Sequence, residues 1–85
     1  MKLAFCDEAG YTLGTKNSDM VPTLGARVVF EDKQGVKQTG VADRLTFNYT
    51  STYDGNQEDL VFIRLSEVRW YGQYIDEKRR ERAAS

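Results

Sequence analysis

Ala26-Arg27-Val28-Val29-Phe30-Glu31, then Asp32-Lys33-Gln34-Gly35, then Val36-Lys37-Gln38-Thr39 is the stretch that decides the fold, because it holds one whole hairpin. Ala26, Val28 and Phe30 fall on one face and Arg27 and Glu31 on the other, with Val29 the exception, which is the period of a half-buried strand. The four residues after Glu31 carry turn chemistry, and Gly35 is free to take the positive φ that closes such a loop. Val36 to Thr39 then returns antiparallel.

On the C-terminal side, Val36 precedes Gly40 on one parity while Val41, Leu45, Phe47 and Tyr49 follow it on the other. A bulge or bend at Gly40 reconciles the two, and bending at a glycine is how small barrels turn corners. Thr50 to Asp59, centred on Tyr53-Asp54-Gly55-Asn56, reads as a hairpin tip. Leu60 to Leu65 is apolar on both parities, as a strand in the middle of the sheet is. Ser66-Glu67 makes a short corner before a last strand, Val68 to Tyr71. Gln73 to Ala84 has no β-branched residue after Ile75 and is rich in Glu, Lys and Arg, so residues 72–85 are a helix or basic tail, with Asp76 and Arg80 as a favourable i,i+4 pair.

On the N-terminal side, Lys2 to Cys6 is a short apolar strand, Asp7-Glu8-Ala9-Gly10 a turn and Tyr11 to Leu13 its partner. Gly14 to Thr23 lacks apolar periodicity and reads as a surface loop, in which Pro22 disfavours helix. The expected architecture is mainly β: a barrel of about five to six antiparallel strands with a short C-terminal helix, in a single domain over residues 1–85.

Composition narrows the function. The chain has 85 residues, and a domain of that size buries only about 60% of its unfolded surface, which favours a flat or grooved working surface over a deep active site. Twelve basic and thirteen acidic residues leave a formal charge of −1, so there is no global field to gather nucleic acid; the one basic cluster is Lys78, Arg79, Arg80 and Arg82. The chain has no histidine, which removes the commonest general base and most zinc sites. One cysteine, Cys6, cannot form an internal disulfide, and a lone cysteine on an apolar strand reads as core. With no signal-peptide order after Met1, the expectation is a soluble cytoplasmic domain without cofactor or metal. The carboxylate pairs Asp7-Glu8, Glu31-Asp32 and Glu58-Asp59 are neighbours on extended chain, where adjacent side chains diverge, and read as solvated turn charges.

Leu24-Gly25-Ala26-Arg27-Val28-Val29-Phe30, Lys37-Gln38-Thr39-Gly40-Val41, Leu60-Val61-Phe62-Ile63-Arg64-Leu65 and Glu67-Val68-Arg69-Trp70 together resemble an SH3-like barrel, in which a strand opening G-x-x-V leads into a hairpin returning through G-x-V. The resemblance covers about half the chain and implies a fold that serves peptide binding, nucleic-acid binding and subunit contacts alike. Phe5-Cys6-Asp7-Glu8-Ala9-Gly10 also resembles the opening strand of RNase H-like nucleases, which would make Asp7 a metal ligand, but the remaining chain is too short for that fold.

The candidate binding residues are Tyr49, Tyr53, Arg69, Tyr71, Tyr74 and Arg79, since aromatic residues and arginine dominate binding hot spots. Arg69, Trp70, Tyr71 and Tyr74 with the basic residues that follow read in two ways, as one binding constellation or, the favoured reading, as a core completed by Trp70 and Val68 with Tyr71 and Tyr74 covering its lower edge. Phe47, Tyr49 and Tyr53 share a parity toward the hairpin tip, where Asp43, Asp54, Glu58 and Asp59 outnumber Arg44, which suits a protein partner better than a phosphate backbone. The function these features favour is a non-enzymatic protein-binding module: an adaptor, small subunit or inhibitor of a larger protein, of the kind found among phage and mobile-element accessory proteins. The alternative is a nucleic-acid-binding module using Arg44, Arg64, Arg69 and the basic tail, with Tyr49 or Tyr71 stacking on bases.

Overall fold

The computed structural model describes residues 1–49 and 59–84. Five strands and one helix follow in order: β1 (Lys2–Cys6), β2 (Thr12–Asn17), β3 (Arg27–Glu31), β4 (Lys37–Asn48), β5 (Leu60–Trp70) and α1 (Tyr71–Ala84). The strands make one sheet in the order β2-β1-β5-β4-β3, curled into a half-barrel. Three of the four pairings are antiparallel as expected, but β1 runs parallel to β5, Leu3 opposite Val61 and Phe5 opposite Ile63. The all-antiparallel expectation is corrected there, because local turn signals say nothing about which distant strand the N-terminus joins. No described helix is long and apolar enough to cross a membrane.

The central position of β5 follows from its sequence. Val61, Ile63 and Leu65 are fully buried and meet Leu3 and Phe5 from β1, Ala42 from β4 and Phe30 from β3. Phe5 and Phe30 belong to strands that are not neighbours in the sheet, yet their rings stack at 4.9 Å between centroids, so the contact spans the inside of the curl. On the other face of β1, Ala4 and Cys6 are also buried. The Cys6 thiol lies 3.7 Å from the Ala4 carbonyl and 3.9 Å from Thr12 Oγ1, a packed structural position as its apolar strand suggests.

Two bulges bend the long β4–β5 ribbon. Val41 faces Ser66 and Thr39 faces Arg69, so Glu67 and Val68 together oppose Gly40 alone, with Glu67 in the left-handed region at φ 54°. The corner expected at Ser66-Glu67 is therefore this bulge within one continuous strand, and Tyr71 already belongs to the helix. Gly40 is the close-approach residue: a Cβ there would sit 3.0 Å from Leu65 Cβ and 3.0 Å from the Ser66 carbonyl oxygen. The second bulge is Asp43, the unpaired residue between Ala42 opposite Leu65 and Arg44 opposite Arg64. The change of parity falls here, since Ala42 faces the core before it and Leu45 after it. Arg64 holds the bulge from across the ladder through an ion pair to Asp43 at 2.6 Å.

The β3–β4 turn forms as its residues dictate, with Gly35 at φ 79° and its N–H donating to the Asp32 carbonyl. Asp32 Oδ1 accepts the N–H groups of Gln34 and Val36, and Oδ2 accepts the Gln38 amide at 2.7 Å. These donors, Gln38 first, hold the Asp32 carboxyl below the usual aspartate value of 3.8. A lowered folded-state value means the stabilisation is complete above the unfolded value and is lost as pH falls through the folded one. Asp32→Asn should therefore melt below wild type at neutral pH, with the gap closing as the pH is taken below 3.8; a gap independent of pH would contradict the carboxylate's role.

The first hairpin also forms, Asp7 Oδ1 accepting the Tyr11 N–H at 2.9 Å, which makes Asp7 a turn residue. Strand β2 runs on through Gly14 to Asn17, where a loop was expected. Thr15, Lys16 and Asn17 have no apolar alternation because β2 is a sheet edge that gains its order from backbone pairing with β1. The helix α1 lies against β4 and β5. Within the helix Lys78 pairs with Glu81 at 3.2 Å, whereas the expected Asp76–Arg80 pair is not among the ion pairs of the described residues.

Candidate partner-binding surface

Three of the sequence candidates come together where α1 meets the sheet. Thr39 of β4 is buried and donates its hydroxyl to the Val28 carbonyl at 2.8 Å, and Arg27 and Arg69 flank it on the neighbouring strands. Tyr74 lies against both arginines, with the Arg27 guanidinium 4.3 Å and the Arg69 guanidinium 5.4 Å from the ring centroid, and Lys78 Nζ 5.6 Å away. Tyr71 stacks on Tyr74 at 6.4 Å, and Glu77 takes an ion pair from Arg69 Nη1, while Arg69 Nε is buried without a partner among the described residues. Cation–π contacts and one ion pair thus anchor a polar helix to the sheet. Tyr74 and Arg69 have their faces taken by one another, so their first role is docking α1.

The remaining candidates lie elsewhere. Arg79 is exposed on α1. Tyr49 stands 72% exposed just beyond β4, stacked on Phe47 at 6.2 Å, and Tyr53 lies outside the described residues. Phe47 pairs with Val61 and Trp70 ends the same strand nine residues on, so the two exposed aromatic sites lie at opposite ends of the bent ribbon, at most about 30 Å apart along the strand. Arg64, a candidate phosphate contact, is held by Asp43 instead. Among the described residues, no three Cys, Asp or Glu side chains are grouped closely enough to hold a metal ion.

Trp70 corrects the core expectation. It is 66% exposed, because the core is already filled by Phe5, Phe30, Ile63 and Leu65 and the strand that carries it ends at the rim of the half-barrel. In register it lies opposite Gln38, which in turn lies opposite Phe30, so Trp70 and Phe30 share one row across three strands. Phe30 leads from that row into an open cleft of about 470 Å³ between β2 and β3. Compared with protein-family models, with curated proteins and with solved structures, the chain matches none. The surface must therefore be judged on its own chemistry. Trp70 is therefore an exposed aromatic two strands away from a cleft lined by Phe5 and Phe30, and tryptophan is among the residues enriched at binding hot spots. The sequence favours a buried Trp70 while leaving a binding role open, and it passes over Arg27, whose contact with Tyr74 has no local signal.

Proposed function

We propose that this chain is a non-enzymatic protein-binding module that engages a larger partner through the rim carrying Trp70. The exposure of Trp70 carries this reading: two thirds of an indole in water is a standing cost that burial against a partner recovers, and tryptophan heads the residues enriched at hot spots. Phe47 and Tyr49, stacked and exposed at the far end of the ribbon, offer a second aromatic contact to a partner long enough to reach both. The proposal includes the SH3-like grouping of the barrel, supported by the β3–β4 hairpin feeding a long bent strand, with the parallel β1–β5 pair as its departure from an all-antiparallel barrel. It also includes action in the cytoplasm as an adaptor, subunit or inhibitor.

The nucleic-acid alternative is less well supported. Arg64 and Arg69 are engaged by Asp43 and Glu77, and the Tyr74 face is covered by arginine. Trp70→Ala separates binding from folding. Its melting temperature should match wild type within what a change of about 0.5 kcal/mol produces, as for other exposed positions, while capture of the partner is lost. A large drop in melting temperature would make Trp70 structural and remove the observation on which the proposal rests.

A further inference from the structure

We infer that the cleft between β2 and β3 accepts an extended, acidic segment of a partner protein, which adds as a short strand and carries the barrel toward closure. The inference rests on the protein-binding reading above and assigns that role a mode of recognition.

The two edges of the sheet face one another across the open side of the curl. At one end they touch: the Lys33 N–H donates to the Leu13 carbonyl at 3.1 Å, and Gly14 backs so closely on Glu31 that a Cβ would lie 2.5 Å from its carbonyl oxygen. Beyond that pinned end the edges part, leaving the cleft of about 470 Å³, within the size range of ligand sites. Phe5 and Phe30 line it, with Thr15 and Lys16 from one strand and Val29 and Glu31 from the other.

Hydrogen-bond alternation shows which backbone groups are free. The Ser18 N–H bonds to the Met1 carbonyl, so in the β1–β2 ladder the even positions near Lys16 point to β1 and Thr15 and Asn17 point away. Asp32 bonds to Val36 and Ala42 to Ala26, so Val28 and Phe30 point to β4 and Arg27 and Val29 point away. Thr15 and Val29, which line the cleft, therefore present N–H and C=O groups to it, Asn17 and Arg27 continue the two rows beyond it, and among the described residues these groups make no bond to another element. Such rows are templates for an added strand. An incoming strand placed between them alternates its own bonds, one residue to β2 and the next to β3.

That geometry selects the occupant. A strand inserted there needs both of its edges free, which excludes the packed edge strand of a second folded copy and selects a lone extended segment. Lys16 and Lys37 border the cleft against the single carboxylate of Glu31, so acidic side chains complement it, and the Phe5–Phe30 stack takes the intervening apolar ones.

The test uses the intact chain, isotope-labelled, titrated with three terminally blocked peptides: Glu-Val-Glu-Val-Glu, the same sequence with Lys for Glu, and the acidic peptide N-methylated at alternate residues. The acidic peptide should slow exchange of the Thr15, Asn17, Arg27 and Val29 amides by about tenfold or more. The lysine peptide should bind at least about tenfold more weakly, and the N-methylated one should give no protection. Val29→Pro, which removes an outward N–H from an edge strand, should keep the fold and lose peptide binding. Equal binding of the N-methylated peptide, or protection mapped to Phe47 and Tyr49 instead, would overturn strand addition. So would an unchanged exchange pattern with all three peptides; if Trp70→Ala still abolished partner capture in that case, the binding role would stand without this mode.

Discussion

Ile63→Ala should lower stability by about 2–5 kcal/mol, the cost of removing a branched side chain from a site that cannot collapse around the loss. Ile63 is fully buried at the centre of the middle strand, flanked along it by Val61 and Leu65, with the β1 strand on one side and Leu45 opposite on the other. A domain of this length has a total stability of roughly 4–13 kcal/mol, so the substitution removes a large share of it. Thermal denaturation should show a midpoint at least about 10 °C lower. The discriminating comparison is Phe62→Ala, one residue earlier on the outer face and only half-buried. Equal or reversed effects would contradict the inward parity of β5, even though phenylalanine is the larger group.

Gly40→Val should cost about 1–3 kcal/mol through overpacking, for a reason independent of backbone freedom. Its φ is not positive; what the position requires is space, because the first added atom would meet Leu65 Cβ and the Ser66 carbonyl oxygen at 3.0 Å and Val68 Cγ2 at 3.2 Å. The neighbouring strand cannot retreat without undoing the bulge at Glu67 and Val68 that turns the ribbon. Gly72 in the first turn of α1 is the control, since nothing lies within 4 Å of its missing Cβ. Gly72→Ala should stabilise by about 0.5–1 kcal/mol, the usual return on replacing a helical glycine. Denaturant melts in which the two substitutions shift the midpoint in the same direction would contradict the packing described here. The natural comparison at Gly55 falls outside the described residues.

Much of the fold was legible wherever the information is local. Asp32 to Gly35 and Asp7 to Gly10 carry turn residues whose backbone needs are met as their chemistry requires, and the alternation of Ala26, Val28 and Phe30 sets the buried face of β3. The irregularity at Gly40 was legible and is one of two bulges in the ribbon, whereas the second was not, because its unpaired residue is Asp43, an ordinary surface aspartate until Arg64 comes to lie across from it. Strand β2 beyond Gly14 was invisible, because an edge strand paired only through its backbone has no need of apolar side chains. The parallel pairing of β1 with β5 depends on residues nearly sixty positions apart, which no turn or period encodes.

The candidate site was legible only in part. Arg69, Tyr71 and Tyr74 do converge, yet chiefly to fasten α1, with Arg27 as the fourth member from a distant strand. The sequence leaves Trp70 between core and interface, with core favoured because tryptophan usually is, and its exposure follows from where β5 stops, which is set by the bulges and the start of the helix. The cleft between β2 and β3 exists only once the sheet has curled, so nothing in the order of its residues announces it.

The most direct test of the protein-binding claim is affinity capture of the intact chain from lysate of its source cell, with and without nuclease, run side by side for wild type and Trp70→Ala. A discrete protein should be retained after nuclease treatment by wild type and lost from the folded variant. Capture that collapses with nuclease, or a protein held equally by both chains, would contradict it.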